Sequence, residues 1–313
     1  EMCIRDRPFI AIGATSGAAA GSWIVDQLVN SGILPTEALL LVATAPLFIS
    51  IVLVRMVEQR EHHLRAATNE QTDDSESNDE AIGGKASIWT GAKLVLVSRF
   101  LLLAALVTLF TNWVNTNGEN LLFRVIQETL ALQAQEQAIA GERAILEFVR
   151  DGTTAFYGNF YFWVNIIALL LQAFVASRLL KYGGFAAILL ILPVIALTSY
   201  TVMALLPVLA VVKMMKIAEN STDYSLNNTS RHVLWLPVSS AMKFHGKPAI
   251  DTLYVRLGDG LAAITVLVGV HLLALATKQF FVFNIFLVIC WLVAGILLVR
   301  EHRRLSAPGV QQN

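Results

Sequence analysis

Long apolar runs separated by polar intervals dominate this chain, and their length sets the first reading. A helix that crosses a bilayer needs about 20 mostly apolar residues. Eight runs meet that length: 8–30, 36–56, 92–114, 155–178, 184–203, 205–226, 251–274 and 279–299. Pro193 and Pro207 punctuate the apolar block 184–212, and Pro207 suits the start of the sixth run. The first run contains GATSGAAAGS, small residues that favour close helix packing.

Two polar intervals divide these runs. Residues 57–91 hold QREHHLR and then the acidic TNEQTDDSESNDE, which predicts a disordered linker. His62 and His63 lie there without companion ligands and read as solvated side chains. Residues 115–152 combine good helix formers with helical periodicity. They predict one or two amphipathic helices at the membrane surface or in the aqueous phase.

A third polar stretch, 213–259, lies between apolar blocks. Lys213, Lys216, Asn220, Asp223, Asn227 and Arg231 recur every three or four residues, which places them on one helix face. Lipid does not tolerate such a face, so it is expected to line a hydrated, protein-enclosed cavity. If the sixth span starts near Leu205, Lys213 and Lys216 lie about 12–17 Å along it. A charge at mid-membrane costs about 2.5–3.5 kcal/mol, so two lysines need compensation. One reading is an internal ion-pair network with Glu219 and Asp223. The other is a site for an anionic substrate, and the two are compatible.

Composition agrees with a membrane protein. Hydrophobic residues make up 56% of the 313, charged residues 15%, and the mean hydropathy is +0.61. Soluble domains carry about 25% charged residues. The net charge is zero, so no basic field points to nucleic acid. Cys3 and Cys290 cannot form a disulfide framework, and no zinc-type spacing exists. The chain lacks a phosphate loop, a nucleophile elbow and HExxH. No enzyme activity, cofactor or metal is therefore expected. Residues 1–7, EMCIRDR, do not begin with Met and read as a non-native leader, so an incomplete N-terminus is expected.

Lys and Arg residues alternate in density between successive intervals. Sixteen fall on the side of the 57–91 linker and the C-terminus, four on the other. The positive-inside rule then makes the linker and the C-terminus cytoplasmic. Two spans, a linker and six spans would remain if a twelve-span carrier of two halves lost its first four. The expected fold is an all-α membrane protein, a major facilitator-like bundle with eight of twelve spans present. In that scheme 8–56 ends the N-terminal half, 92–300 is the six-span C-terminal half, and 301–313 is a cytoplasmic tail.

Further polar residues stand in apolar surroundings. Arg99 interrupts its span, either snorkelling to the cytoplasmic face or meeting a phosphate or gate carboxylate. Asn112, Asn115, Asn117 and Glu119 mark the outer end of that span. In PAIDTLYVRLGDG, Pro248 and Asp251 suit a helix N-terminus, and Arg256 and Asp259 are spaced to pair. Gly258 and Gly260 read as packing glycines, and His271 as a core or pore-lining residue. Asp26, near the end of the first span, is a weak candidate for a proton or cation site.

The stretch from Lys216 to Asp259 resembles the non-mitochondrial ATP/ADP translocase (nucleotide transporter) family of plastids and intracellular bacteria. The resemblance rests on Glu219-Asn220, Tyr224-Ser225-Leu226, Arg231, Leu236-Pro237, Lys243, Gly246-Lys247 and Ala249-Ile250-Asp251. NWVNTNGE at 112–119 is also similar to the family. Where plastid-type members read YSLFxPxKE, this chain reads YSLNNTSRH. The resemblance implies a major facilitator-like carrier working by alternating access, with ATP/ADP-type exchange of nucleotides or related anions. A proton-coupled carrier of another solute is the alternative; a membrane enzyme and a non-transporting scaffold are weaker ones. The candidate substrate-binding or gating residues are Arg99, Lys213, Lys216, Glu219, Asn220, Asp223, Asn227, Arg231, Lys247, Arg256 and Asp259. The expected partners are the anionic solute and the lipid bilayer of a bacterial inner membrane, with no obligate protein partner.

Overall fold

The computed structural model describes residues 16–25, 27–28, 38–68, 88–240 and 242–306. They divide into two units: Glu1–Asp26 with Ile88–Asn313, and Gln27–Ser87. The described residues are helical, with no strand. The leader 1–7, Asp26, the tail beyond Ser306 and most of the acidic linker lie outside the described residues.

In the smaller unit, one helix, α2 (Leu39–Thr68), covers the second predicted span and continues past it. Residues 57–68 are therefore the end of α2 rather than linker, and His62 and His63 sit on a helix. Good helix formers in MVEQREHHLRAA carry the helix onward. Leu47, Phe48, Ile49, Ile51, Val52, Leu53 and Val54 are all exposed, so this helix presents an apolar surface.

In the larger unit the first described helix, α1, covers 16–25, and its described glycines do not pack closely. A Cβ on Gly17 or Gly21 would meet nothing within 4 Å. This face instead borders a cleft of about 570 Å³ with Phe123, Tyr157 and Tyr161 across it.

The third predicted span is broken at Ser98. It consists of α3 (Ile88–Val97) and the start of α4 (Arg99–Glu136), with Ser98 in extended conformation as N-cap. The Leu101 N–H donates to Ser98 Oγ at 3.4 Å. The 38 residues of α4 span about 57 Å, well past a hydrocarbon core of about 30 Å. Residues 115–136 are thus a continuation of a spanning helix, not a separate surface helix. Residues 142–152 likewise open α5 (Glu142–Leu170). The hairpin turn between them has Ala138 at φ 50° and Gly141 at φ 97°. The Ile139 N–H closes onto the carbonyl of Ala134, a Schellman-type stop.

Helix α5 runs on through a π turn, Leu171–Val175, into α6 (Ala176–Leu205). Gly184, at φ 65° and ψ −167°, breaks this run. The reversal between the runs 155–178 and 184–203 sits there because the backbone needs a positive φ that glycine adopts freely. After the turn at 206–208 come α7 (Leu209–Thr222), a π turn Asp223–Asn227 and α8 (Asn228–Leu234). The sixth span therefore begins four residues late and extends eight residues further than 205–226. A second composite helix, 242–272, includes α9 (Lys247–Ala249) and α10 (Val255–Leu267). The last helix is α11 (Thr277–Leu305).

Four helical runs among the described residues are long and apolar enough to cross a membrane: Arg99–Glu136, Glu142–Leu205, Met242–Leu272 and Thr277–Leu305. Gly184 splits the second of these. The protein is a multi-pass all-α membrane protein. In the larger unit the described helices alternate between two ends. At one, Phe100, Phe185, Trp235 and His302 gather, with His302 stacked 3.9 Å from Phe185. At the other, Pro207, Ala276 and Lys278 sit level with Arg124 and Glu128. The α4–α5 hairpin projects beyond that second end.

The core lies where α4, α6, α7 and α11 meet, with Leu101, Leu122, Ile126, Leu192, Met203 and Phe281 fully buried. Gly258 permits α10 to lie on α4: a Cβ there would come within 2.8 Å of the Leu109 carbonyl oxygen. Gly260 faces open space, so only one of the two predicted packing glycines packs.

Candidate functional site

Helix α7 carries the predicted polar face into the core, and α4 answers it. Lys216 is fully buried. Its Nζ lies 3.3 Å from Glu219 Oε2 and 3.5 Å from Glu119 Oε1. These ion-pair distances exceed the roughly 2.7–2.9 Å of a directed charge-assisted hydrogen bond. Glu219 is buried one turn on, and the Tyr200 hydroxyl lies 3.2 Å from both Glu219 Oε1 and the Val114 carbonyl. Asn220 Nδ2 donates to Glu119 Oε1 at 2.8 Å. The network thus joins α4, α6 and α7.

Its closeness depends on Gly118. A Cβ at that position would collide with the Tyr200 hydroxyl and lie 2.8 Å from Lys216 Nζ. A second buried link, Asn117 Nδ2 to Asn284 Oδ1 at 3.1 Å, ties α4 to α11. Among the described residues, Asn117 Oδ1, Asn220 Oδ1 and Asn284 Nδ2 are buried without a hydrogen-bond partner.

The face then changes character. Around the π turn Asp223–Asn227 a cavity of about 480 Å³ opens, lined by Asn112, Asn165, Asp223, Tyr224, Asn227, Asn228, Arg231 and Ala18. π turns recur at functional sites. Asn227 Nδ2 donates to Asp223 Oδ1 at 2.6 Å, and Ser230 Oγ donates to the Asn227 carbonyl at 2.8 Å. Arg231 is exposed at the cavity wall. The volume lies in the range of small-molecule pockets, and amides, a carboxylate, a phenol and a guanidinium supply convergent polar groups.

The two lysines do not share a hydrated cavity, as the spacing alone predicted. Lys216 is sealed among protein partners. Lys213, half-buried, turns toward α5, donates to Asn159 Oδ1 at 2.7 Å and lies 5.0 Å from the Phe156 ring centroid. Three residues on a helix separate two side chains by about 60°, enough to send them to different neighbours.

The structure brings together Lys216, Glu219 and Asn220 in the network, and Asp223, Asn227 and Arg231 at the cavity. Besides Lys213, four candidates stand apart. The Arg99 side chain is 69% exposed at the start of α4, 3.9 Å from Glu301. Lys247 is half-buried at the start of α9. Arg256, 80% exposed, pairs with Asp259 at 3.2 Å. Asp259 also accepts from Thr116 Oγ1 at 2.9 Å. His271 is exposed.

Glu119, Tyr200, Asn112 and Asn165 were not among the candidates. Asn112, Asn115 and Glu119 recur every three or four residues, the same signal that marked the 213–231 face. Ending the third span at 114 hid it, because these residues then looked like a helix end. Tyr200 and Asn165 are single polar groups in apolar helices and give no pattern.

Comparison with known proteins points the same way. Residues 198–302 match the family described as TLC ATP/ADP transporter. The matched stretch holds Tyr200, Lys216, Glu219, Asn220, Asp223, Asn227 and Arg231. The chain is 26% identical over 180 residues to ADP,ATP carrier protein 1 of Chlamydia pneumoniae, covering 50% of this chain and 35% of that protein. It is 24% identical over 187 residues to ADP,ATP carrier protein 1 of Chlamydia trachomatis serovar D, covering 51% and 34%. The same-named protein of Chlamydia muridarum is 25% identical over 125 residues, covering 34% and 24%. The chain thus spans about a third or less of the length of the curated relatives it matches. No solved structure gives a significant match. The resemblance to the nucleotide transporter family, read from residues 216–259, therefore extends across the last third of the chain.

Proposed function

We propose that this chain is part of a membrane carrier that exchanges nucleotides, or closely related anionic metabolites, by alternating access. The observation that carries the reading is the family match over 198–302, which covers the α7–α8 run that contributes Lys216, Glu219 and Asn220 to the network and Asp223, Asn227 and Arg231 to the cavity. The chemistry is compatible. Arg231 offers a planar, permanently charged fork for phosphate oxygens, and the Asn112, Asn165, Asn227 and Asn228 amides offer donors and acceptors for a base or sugar. Tyr224 adds an aromatic surface.

In this reading the Lys216 network is a joint between helices rather than the anion site. Its carboxylates and ammonium hold α4, α6 and α7 in one arrangement, and the cavity beyond it receives the solute. Exchange follows if the cavity, without an anion against Arg231, reorients slowly. The protein then works as a carrier rather than an enzyme. It sits in a bacterial inner membrane, with the Arg99 and Arg304 end on the cytoplasmic side, where the lysines and arginines concentrate.

The test is uptake of labelled ATP by liposomes carrying the protein. Internal ADP should accelerate uptake well above that of empty liposomes. Equal uptake with and without ADP would remove exchange. Uptake of another solute from a panel, with none of ATP, would replace the substrate.

A further inference from the structure

Across the cleft of about 570 Å³ from α1 stand Phe123 of α4 and Tyr157 and Tyr161 of α5. Tyr157 and Tyr161 are one helical turn apart, and their rings lie nearly parallel, 21° between planes and 5.8 Å between centroids. Neither phenol hydroxyl has a hydrogen-bond partner among the described residues. The wall facing the rings is made of small residues, Ala18, Gly21 and Ser22. A Cβ on Gly21 would meet nothing within 4 Å, so this wall leaves room beside the rings instead of packing on them.

The cleft adjoins the Arg231 cavity, and Ala18 lines both. Asn165 stands at the join. It lines the cavity, while its Nδ2 donates to the Tyr161 carbonyl at 2.8 Å and lies 3.5 Å from Ser22 Oγ in the cleft wall. The residue is only 6% exposed, yet its Oδ1 accepts from no described residue. Two neighbouring spaces therefore differ in chemistry. One presents a guanidinium, amides and a carboxylate, the other a stack of aromatic rings. A molecule that fills both carries an anionic group at one end and a flat aromatic ring at the other. A sugar phosphate or a dicarboxylate would leave the rings unmatched. A lipid chain would fill the cleft but leave Asn165 Oδ1 and the two phenol hydroxyls unpaired.

We propose that the Tyr157–Tyr161 cleft is the nucleoside subsite of the carrier. The base stacks on Tyr161, between that ring and Gly21, the ribose lies at Asn165, and the phosphates reach Arg231. Along α5, Tyr161 is about 6 Å from Asn165 and Tyr157 about 12 Å, so sugar and base meet successive turns. Stacking on an aromatic ring accepts any base, because every base has a π-face. Asn165 Oδ1 accepts from a ribose hydroxyl or an exocyclic amine. Gly21 then has a physical reason: a larger side chain would occupy the slot of the base. The subsite presupposes that the solute is a nucleotide, and the experiment below separates failure of the subsite from failure of that reading.

The experiment titrates ATP, adenosine and tripolyphosphate separately into the purified protein in detergent and follows binding by calorimetry. Gly21→Leu fills the cleft from the α1 side, where the added Cβ meets no protein atom within 4 Å. It should raise the Kd for ATP and for adenosine about tenfold or more, the loss of one base stack, and leave tripolyphosphate within about twofold. Tyr161→Leu should do the same, and Tyr161→Phe, which keeps the ring, should hold ATP within about threefold. Arg231→Gln should show the converse, weaker ATP and tripolyphosphate with adenosine unchanged. If Tyr161→Leu fails to fold, Gly21→Leu decides. ATP bound as tightly by Gly21→Leu as by the unaltered protein overturns the subsite and leaves the exchange reading standing. An equal loss of ATP and tripolyphosphate in Gly21→Leu also overturns it, because the cleft would then not be selective for the nucleoside. Unaltered protein that binds neither ATP nor adenosine overturns both.

Discussion

The Lys216 network and the Arg231 cavity occupy neighbouring turns of one helix run, yet one is sealed and the other open. In the network Lys216 and Glu219 are buried against protein: Lys216 meets Glu219 and the half-buried Glu119, and Tyr200 and Asn220 close the sides. At the cavity, Asp223, Asn227 and Arg231 line a space of about 480 Å³. The same three-to-four-residue spacing therefore serves two purposes. Charges matched by protein partners fix helices to each other. Polar groups facing a cavity are left to meet something that comes and goes.

The comparison is broken most sharply at Lys216. Lys216→Met would leave Glu119 and Glu219 facing each other in the core. Removing one partner of a buried pair typically costs about 3–5 kcal/mol. Denaturant unfolding in detergent should show a loss of that size. Lys213→Met, at a half-buried site on α7 that faces α5, should cost about 1 kcal/mol, the worth of an ordinary hydrogen bond. Equal losses for the two lysines would show that the network is not sealed.

Gly118→Ala tests the network from the α4 side. The added Cβ collides with the Tyr200 hydroxyl and crowds Lys216 Nζ, so a loss of about 1–3 kcal/mol is expected from overpacking. Gly21→Ala is the matched control. Its Cβ would meet nothing within 4 Å, and alanine favours a helix over glycine by about 1 kcal/mol. The two substitutions should therefore change thermal stability in opposite directions. A smaller effect is expected for Tyr200→Phe, which deletes one hydroxyl between two acceptors and should cost about 0.5–1.5 kcal/mol.

The helical membrane architecture was legible from hydrophobic run length, because a helix is the one local solution that satisfies every backbone group in lipid. Boundaries were not. Ser98, Gly184 and the continuation of α4 to Glu136 depend on capping, a positive φ and helix-forming polar residues, none of which hydropathy reports. The site was half legible. Periodicity found the 216–231 face, but pairing across helices decides which of its members are sealed. Glu119 and Tyr200, distant in sequence from Lys216, become its neighbours only through packing. Arg99 and Arg256 read as intramembrane charges, yet one caps the bundle beside Glu301 and the other is largely exposed beside Asp259.

The smallest stability change should come from Arg231, and it sharpens the comparison most. Its side chain is exposed at the cavity wall, so Arg231→Gln should alter unfolding stability by no more than about 0.5 kcal/mol. If the cavity receives a phosphate-bearing solute, the same substitution should still reduce nucleotide exchange in liposomes at least tenfold, because a charged bidentate contact is lost. Arg231→Lys should recover part of it, since the charge returns without the planar fork. Lys216→Met would also reduce exchange, but only together with its loss of stability. Dissociation of the two readouts at Arg231, and their linkage at Lys216, separates a ligand-facing charge from a structural one. Unchanged exchange in Arg231→Gln would place the anion site elsewhere and leave the cavity without its proposed role.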